Sequence, residues 1–115
     1  MDGPLRRPLT FTQDLSAGAL SYTYTFTRPR SLHEVLISIS TDITESLTIT
    51  KHVAKGAAYS TSLVEADIIE EQEYTFRPQG KCDFAIGDGI TIAMTNANTT
   101  GVVSGSIKLR ETNKN

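Results

Sequence analysis

The side chains in this sequence best suited to chemistry are two histidines, a lone cysteine, a run of acids and an aspartate set between glycines. Nucleophilic catalysis needs a nucleophile, a base within reach and a third group to orient the base. His33 alternates with Val35, Ile37 and Ile39, which places its ring on an apolar face as a core or interface histidine; His52 falls beside Lys51 on a polar face. Glu70, Glu71 and Glu73 offer carboxylates for acid–base work, but no apolar pocket is at hand to shift their pKa values. Asp88 in Gly87-Asp88-Gly89 invites a calcium reading, since calcium takes oxygen ligands. One aspartate falls well short of a calcium loop, and the two glycines read as a turn. Cys82 stands alone, so no internal disulfide can form and no cysteine zinc site can be assembled. No phosphate loop, dinucleotide fingerprint or zinc-binding helix is present. The expectation is a protein without catalytic residues, cofactor or metal.

Composition points the same way. A chain of 115 residues allows one domain with one modest core. Hydrophobic residues make up 38% and charged residues 21%, and Thr and Ser fill the gap, which suits half-buried strands with polar outer faces. A formal net charge of −2 argues against nucleic-acid binding by bulk electrostatics. No stretch reaches the length needed to span a membrane, and the N-terminus lacks a charged leader followed by an apolar run. Synthesis in a cytoplasm, without a signal peptide, is the expectation. Charge is nonetheless uneven. Arg6, Arg7, Arg28 and Arg30 face only Asp2 and Asp14 in the first 30 residues, whereas Glu65, Asp67, Glu70, Glu71 and Glu73 cluster further on. Both groups read either as solvated surface or as complementary charge between copies or partners.

The elements that position these residues follow from alternation. Residues 1–19, broken by Gly3, Pro4, Pro8 and Gly18, read as an extended arm with one short strand at 9–12. Tyr22, Tyr24 and Phe26 alternate with Thr23, Thr25 and Thr27, a strand signal that Pro29 ends. Val35, Ile37 and Ile39 make a second strand; residues 41–45 read as a polar turn; Leu47, Ile49 and Val53 make a third strand, so the two pair as a hairpin. Lys51 falls on the apolar side, where its stem can snorkel. Tyr59, Thr61 and Leu63 restart the alternation, while 64–73 has too few apolar positions for a helix and reads as a loop or an irregular strand. Tyr74 with Phe76, Cys82 with Phe84 and Ile86, Ile90 with Ile92 and Met94, and Val103 with Ile107 and Leu109 complete the set. The expected fold is all-β: a single antiparallel, jelly-roll-like β-sandwich of about seven or eight short strands. Its parts are an arm at 1–19, the sandwich at 20–110 and a polar tail at 111–115.

The second half carries a characteristic spacing: Tyr74-Thr75-Phe76-Arg77-Pro78, then Phe84-Ala85-Ile86-Gly87-Asp88-Gly89-Ile90-Thr91-Ile92, then Thr95-Asn96-Ala97-Asn98-Thr99-Thr100-Gly101, then Gly105-Ser106-Ile107. This resembles small β-sandwich structural proteins of tailed bacteriophages, of the head decoration (cement) type, over residues 32–110. The resemblance implies a non-enzymatic virion protein on the capsid surface that ties major capsid proteins together. It also implies a homo-oligomer, with a trimer among the arrangements, and no contact with nucleic acid or membrane. A head–tail connector or tail component is the variant within that class. A carbohydrate- or receptor-binding sandwich is the alternative outside it. That alternative needs exposed aromatics or polar loop sites near 87–89 and 96–101, and the chain has no Trp, while Tyr22, Tyr24, Phe26, Tyr74 and Phe76 face inward by alternation. The residues singled out for partner binding are Leu5, Arg6, Arg7, Leu9 and Phe11 of the arm, Arg28 and Arg30 beyond the first strand, and Glu70 and Glu71 of the acidic segment.

Overall fold

The computed structural model describes residues 8–54, 61–80 and 82–111, the side chains of 69–71 excepted. Seven strands follow one another: β1 (Leu9–Asp14), β2 (Leu20–Thr25), β3 (Arg30–His52), β4 (Thr61–Phe76), β5 (Asp83–Phe84), β6 (Gly89–Met94) and β7 (Val102–Glu111). All pairings are antiparallel. The fold is an all-β sandwich, as the alternation requires, but its organising element is unexpected. β3 is one strand of 23 residues and belongs to both layers. Its first half pairs with β7 and its second half with β6, while β4 accompanies it on the other side throughout. One layer is therefore β1-β7-β3-β4, the other β2-β6-β3-β4, with β5 added beside the start of β3.

The hairpin expected from a turn at 41–45 is thus corrected. The chain does not reverse there, because Ile43 and Glu45 are buried in step with Ile39, Leu47 and Ile49, and the alternation never stops. What the polar residues make instead is a corner. Ser38 pairs with Glu73 and Ile43 with Glu71, so four residues of β3 face a single residue of β4. Such extra residues bend a strand sharply and let it change layers. The corner is held by Gln72 Nε2 donating to Asp42 Oδ1 at 2.7 Å and by the Val102 amide donating to Ser40 Oγ at 2.8 Å. Gly101 packs against it with φ +96°, where an added Cβ would lie 2.9 Å from Thr41 Cγ2. Opposite the corner, β1 and β2 bring the two layers together again: the Phe11 and Tyr22 rings stack with centroids 5.0 Å apart, so the sandwich nearly closes into a barrel.

Three more expectations are refined or corrected. Residues 9–14, read as part of an arm with a short strand at 9–12, form β1 against β7 in full register, and Leu15 is completely buried. Phe11 is core, lying across Gly105 so closely that a Cβ there would meet its ring at 2.2 Å. The segment 64–73, read as a loop or an irregular strand, is the irregular strand, with register shifts where it meets the corner. His33 does not lead the inward row of β3. The register slips between Leu32 and Glu34, so His33 is the extra residue of a bulge; Leu32 takes the inward place and the ring is half-buried, accepting from Arg110 Nε at 3.4 Å. The largest fully buried side chains of the core are Phe26, Phe84, Leu15, Ile37, Ile43, Leu47, Ile49, Ile68, Ile90, Ile92, Ile107 and Val35. Each fully buried aliphatic or aromatic side chain contributes about 1.5–3 kcal/mol.

Candidate functional site

Beside the corner lies a groove whose first hollow exposes mainly apolar surface and whose second exposes mainly polar surface. It consists of a hollow of about 280 Å³ lined by Thr44, Glu45, Ser46, Asp67, Thr95 and Ala97, and an adjoining one of about 510 Å³ lined by Asp42, Ile43, Thr44 and Asn98. The pleat explains the lining. Asp42, Thr44 and Ser46 are the outward residues of β3, and Asp67 is directly across from Ser46 on β4. On the other flank, β6 ends at Met94 opposite Leu47, which sets Thr95 opposite Ser46. The Thr95 amide donates to Ser46 O at 3.0 Å, and the Ser46 amide donates to Thr95 Oγ1 at 2.8 Å.

The segment 95–100 closes the groove, and Glu45 holds it there. Glu45 occupies an inward position of β3, yet its carboxylate accepts from the Ala97 amide at 2.9 Å, the Asn98 amide at 2.7 Å and the Thr95 hydroxyl at 2.8 Å. Burial alone would raise its pKa; the two amides and the hydroxyl outweigh that and hold the carboxyl below the usual range. Asn98 Oδ1 in turn accepts the Thr44 amide at 3.1 Å, and Asn96 Nδ2 donates to Leu15 O at 2.7 Å. Thr99, at the tip, has φ +53°, an uncommon conformation for a β-branched residue. Its amide donates to Asn96 Oδ1 at 3.1 Å and its hydroxyl to Asn98 O at 2.7 Å, which helps fix that conformation. The result is a cleft lined by hydroxyls, carboxylates and a side-chain amide, several of them hydrogen-bonded within the protein, as Ser46 Oγ is to Asp67 Oδ1 at 2.9 Å. Among its described lining residues none is aromatic.

The residues singled out from sequence do not gather at this groove. Leu5, Arg6 and Arg7 lie outside the described residues, as do the side chains of Glu70 and Glu71, whose backbone belongs to β4. Leu9 is half-buried and packs against the core, and Phe11 is buried in it. Arg28 is exposed between β2 and β3; Arg30 opens β3 and donates to Pro29 O at 2.8 Å. Asp88 is a turn residue: Oδ1 accepts the Ala54 amide at 3.0 Å and Oδ2 the Ala85 amide at 2.9 Å, with Gly87 at φ +93° beside it. Its carboxylate therefore joins two loops. Lys51 snorkels, its Nζ 5.1 Å over the Phe84 ring and donating to Asp83 O at 2.6 Å. His52 shares a 2.7 Å hydrogen bond with Thr91 Oγ1. Burial pushes the Cys82 thiol up, away from reactive thiolate. Among the described residues no group of three or more His, Cys, Asp and Glu is placed to hold a metal, and no helix is long and apolar enough to cross a membrane. The groove is partly legible in the sequence: 96–101 reads as a polar loop, but Glu45, buried by a strand that does not turn, gives no sequence signal.

No family model matches the chain, and no curated protein matches it. Among solved structures, the family 32 carbohydrate-binding module from C. perfringens NanJ, in complex with galactose, superposes with a TM-score of 0.54. Identity is 14%, and the match covers 86% of this chain and 75% of that one. The likeness is one of fold. It places the chain among β-sandwiches, in agreement with the alternation of its strands.

Proposed function

We propose that the chain is a non-catalytic binding module and that it takes a saccharide in the groove beside the β3 corner. The observation that carries this reading is the lining itself: Asp42, Thr44, Ser46, Asp67, Thr95 and Asn98 set acceptors and donors along one cleft fixed by Glu45. Vicinal hydroxyls of a sugar need that mixture, since each hydroxyl both donates and accepts. The module of like fold binds galactose, which makes galactose and its oligosaccharides the first probes. Recognition without a stacking aromatic rests on hydrogen bonds made in competition with water, so affinity for a monosaccharide is expected near about 1 mM, or about −4 kcal/mol. A glycan array followed by titration calorimetry tests it. Asp67→Ala and Asn98→Ala should each weaken binding about tenfold or more while the unfolding midpoint changes little. Failure of every glycan on the array to bind sinks the reading.

A second reading is an assembly role on a capsid surface, with the major capsid protein as partner. It is supported by the sequence resemblance of residues 32–110 together with the outer edge of β4, which no described strand covers. Co-sedimentation of the purified chain with assembled capsid shells tests it, and a chain that stays in the supernatant at every salt concentration speaks against it.

A further inference from the structure

β4 runs for 16 residues with β3 on one side, and no described strand lies on its other side. Alternate N–H and C=O groups of an antiparallel strand point away from its partner, so this edge is a template for another strand. Its regular part is 64–69, paired without a slip to 44–49. There Val64 and Ile68 are buried and Ala66 is half-buried on the inner face, while Glu65 and Asp67 are exposed on the outer face. With Glu70, Glu71 and Glu73 in the same strand, two β4 edges repel one another, which excludes pairing of like edges and selects a basic strand.

We propose that this edge is a strand-addition site for residues 3–8 of a second copy of the chain. The proposal does not depend on saccharide binding. The sequence Gly3-Pro4-Leu5-Arg6-Arg7-Pro8 suits an edge strand in three ways. Pro4 and Pro8 are an even number of residues apart, so in extended backbone both missing amides fall on the side facing away from β4, leaving Gly3, Leu5 and Arg7 to pair. The same alternation sets Leu5 and Arg7 on one face, where Leu5 lengthens the apolar row of Val64, Ala66 and Ile68 and the Arg7 stem can lie along its end with the guanidinium in water. It sets Arg6 on the other face, beside Glu65 and Asp67. A chain's own segment cannot reach this site. It enters β1 at Leu9, and β7 and β3 lie between β1 and β4. A strand added beyond β4 lies four strand spacings of about 4.8 Å from β1, about 19 Å. That is more than half of the roughly 24 Å spanned by seven extended residues, too much to leave a six-residue pairing.

Sedimentation equilibrium of the full chain across a concentration series is the test. Expected are reversible self-association that weakens with salt, its loss on deletion of residues 1–7, and at least about tenfold weaker association for Arg6→Glu or Glu65→Lys alone. An equimolar mixture of those two variants should recover association through the one pairing in which both partners keep their native charge. Glu65 is exposed, so its charge variant keeps the test decisive if the deletion fails to fold. A monomer at all concentrations overturns the proposal, as does association that survives the deletion or both charge variants. Protection of β4 amides within a monomer that is lost on deletion also overturns it, by assigning the edge to the chain's own segment.

Discussion

β3 buries two glutamates, one on each side of its corner, and neutralises them by different means. Glu34 lies among strands. Its side chain is 6% exposed, while Arg77, which donates to Oε2 at 2.6 Å, is 71% exposed, and Lys108, 3.2 Å from Oε1, is 38% exposed. The two cations hold its carboxyl below the usual range. Glu45 has no cation within ion-pair distance among the described residues; it is held by two backbone amides and a hydroxyl. The difference matters because side-chain cations can leave for water, whereas amides of a loop cannot leave without the loop. Glu34 ties strands that already pair; Glu45 creates the shape of the segment 95–100, and with it the groove.

The hardest blow to that contrast is Glu45→Ala. Two part-buried amides would lose a charged acceptor, and the expected loss is about 2 kcal/mol by urea unfolding, with the amides of Ala97 and Asn98 losing protection in hydrogen exchange. Glu34→Ala should lower the unfolding midpoint less and leave those amides protected; equal losses would erase the distinction. Salt gives the next separation. Raising it to about 1 M, where the Debye length falls to about 3 Å, should shrink the effect of Glu34→Gln and leave that of Glu45→Gln nearly unchanged.

Acid affects both. Each carboxyl has a folded pKa below its unfolded value, so the unfolded chain binds more protons in between. The stabilisation is full above the unfolded value of about 4.3 and is lost as pH falls through the folded values. The midpoint of the native protein should therefore drop steeply below about pH 4, and the Glu45→Gln variant should show a shallower drop. The smallest effect is expected at Thr99→Gly, which removes the positive-φ penalty at the tip and should change stability by no more than about 1 kcal/mol, in the stabilising direction. A marked loss there would show that the Thr99 hydroxyl bond to Asn98 O, rather than Glu45, fixes the loop.

Residue types alone determined a good deal of this protein. Alternation with a period of two named the inward rows of Val35, Ile37 and Ile39, of Leu47 and Ile49, and of Ile90, Ile92 and Met94, because each side chain in a pleated strand points opposite to its neighbours. The same local logic read Gly87-Asp88-Gly89 as a turn and Lys51 as a snorkel. Long-range packing decided the rest. The polar stretch at 41–45 carries the composition of a turn, yet it runs on as strand because β4 and the Gly101 turn pack against both sides of it. The bulge that turns His33 aside and buries Glu34 depends on pairing with β7, whose residues lie far along the chain. Phe11 looked like part of an arm until Gly105 gave its ring a place in the core. A strand states in its sequence which residues face inward; which layer it joins, and where it crosses between layers, is set by partners that local sequence does not contain.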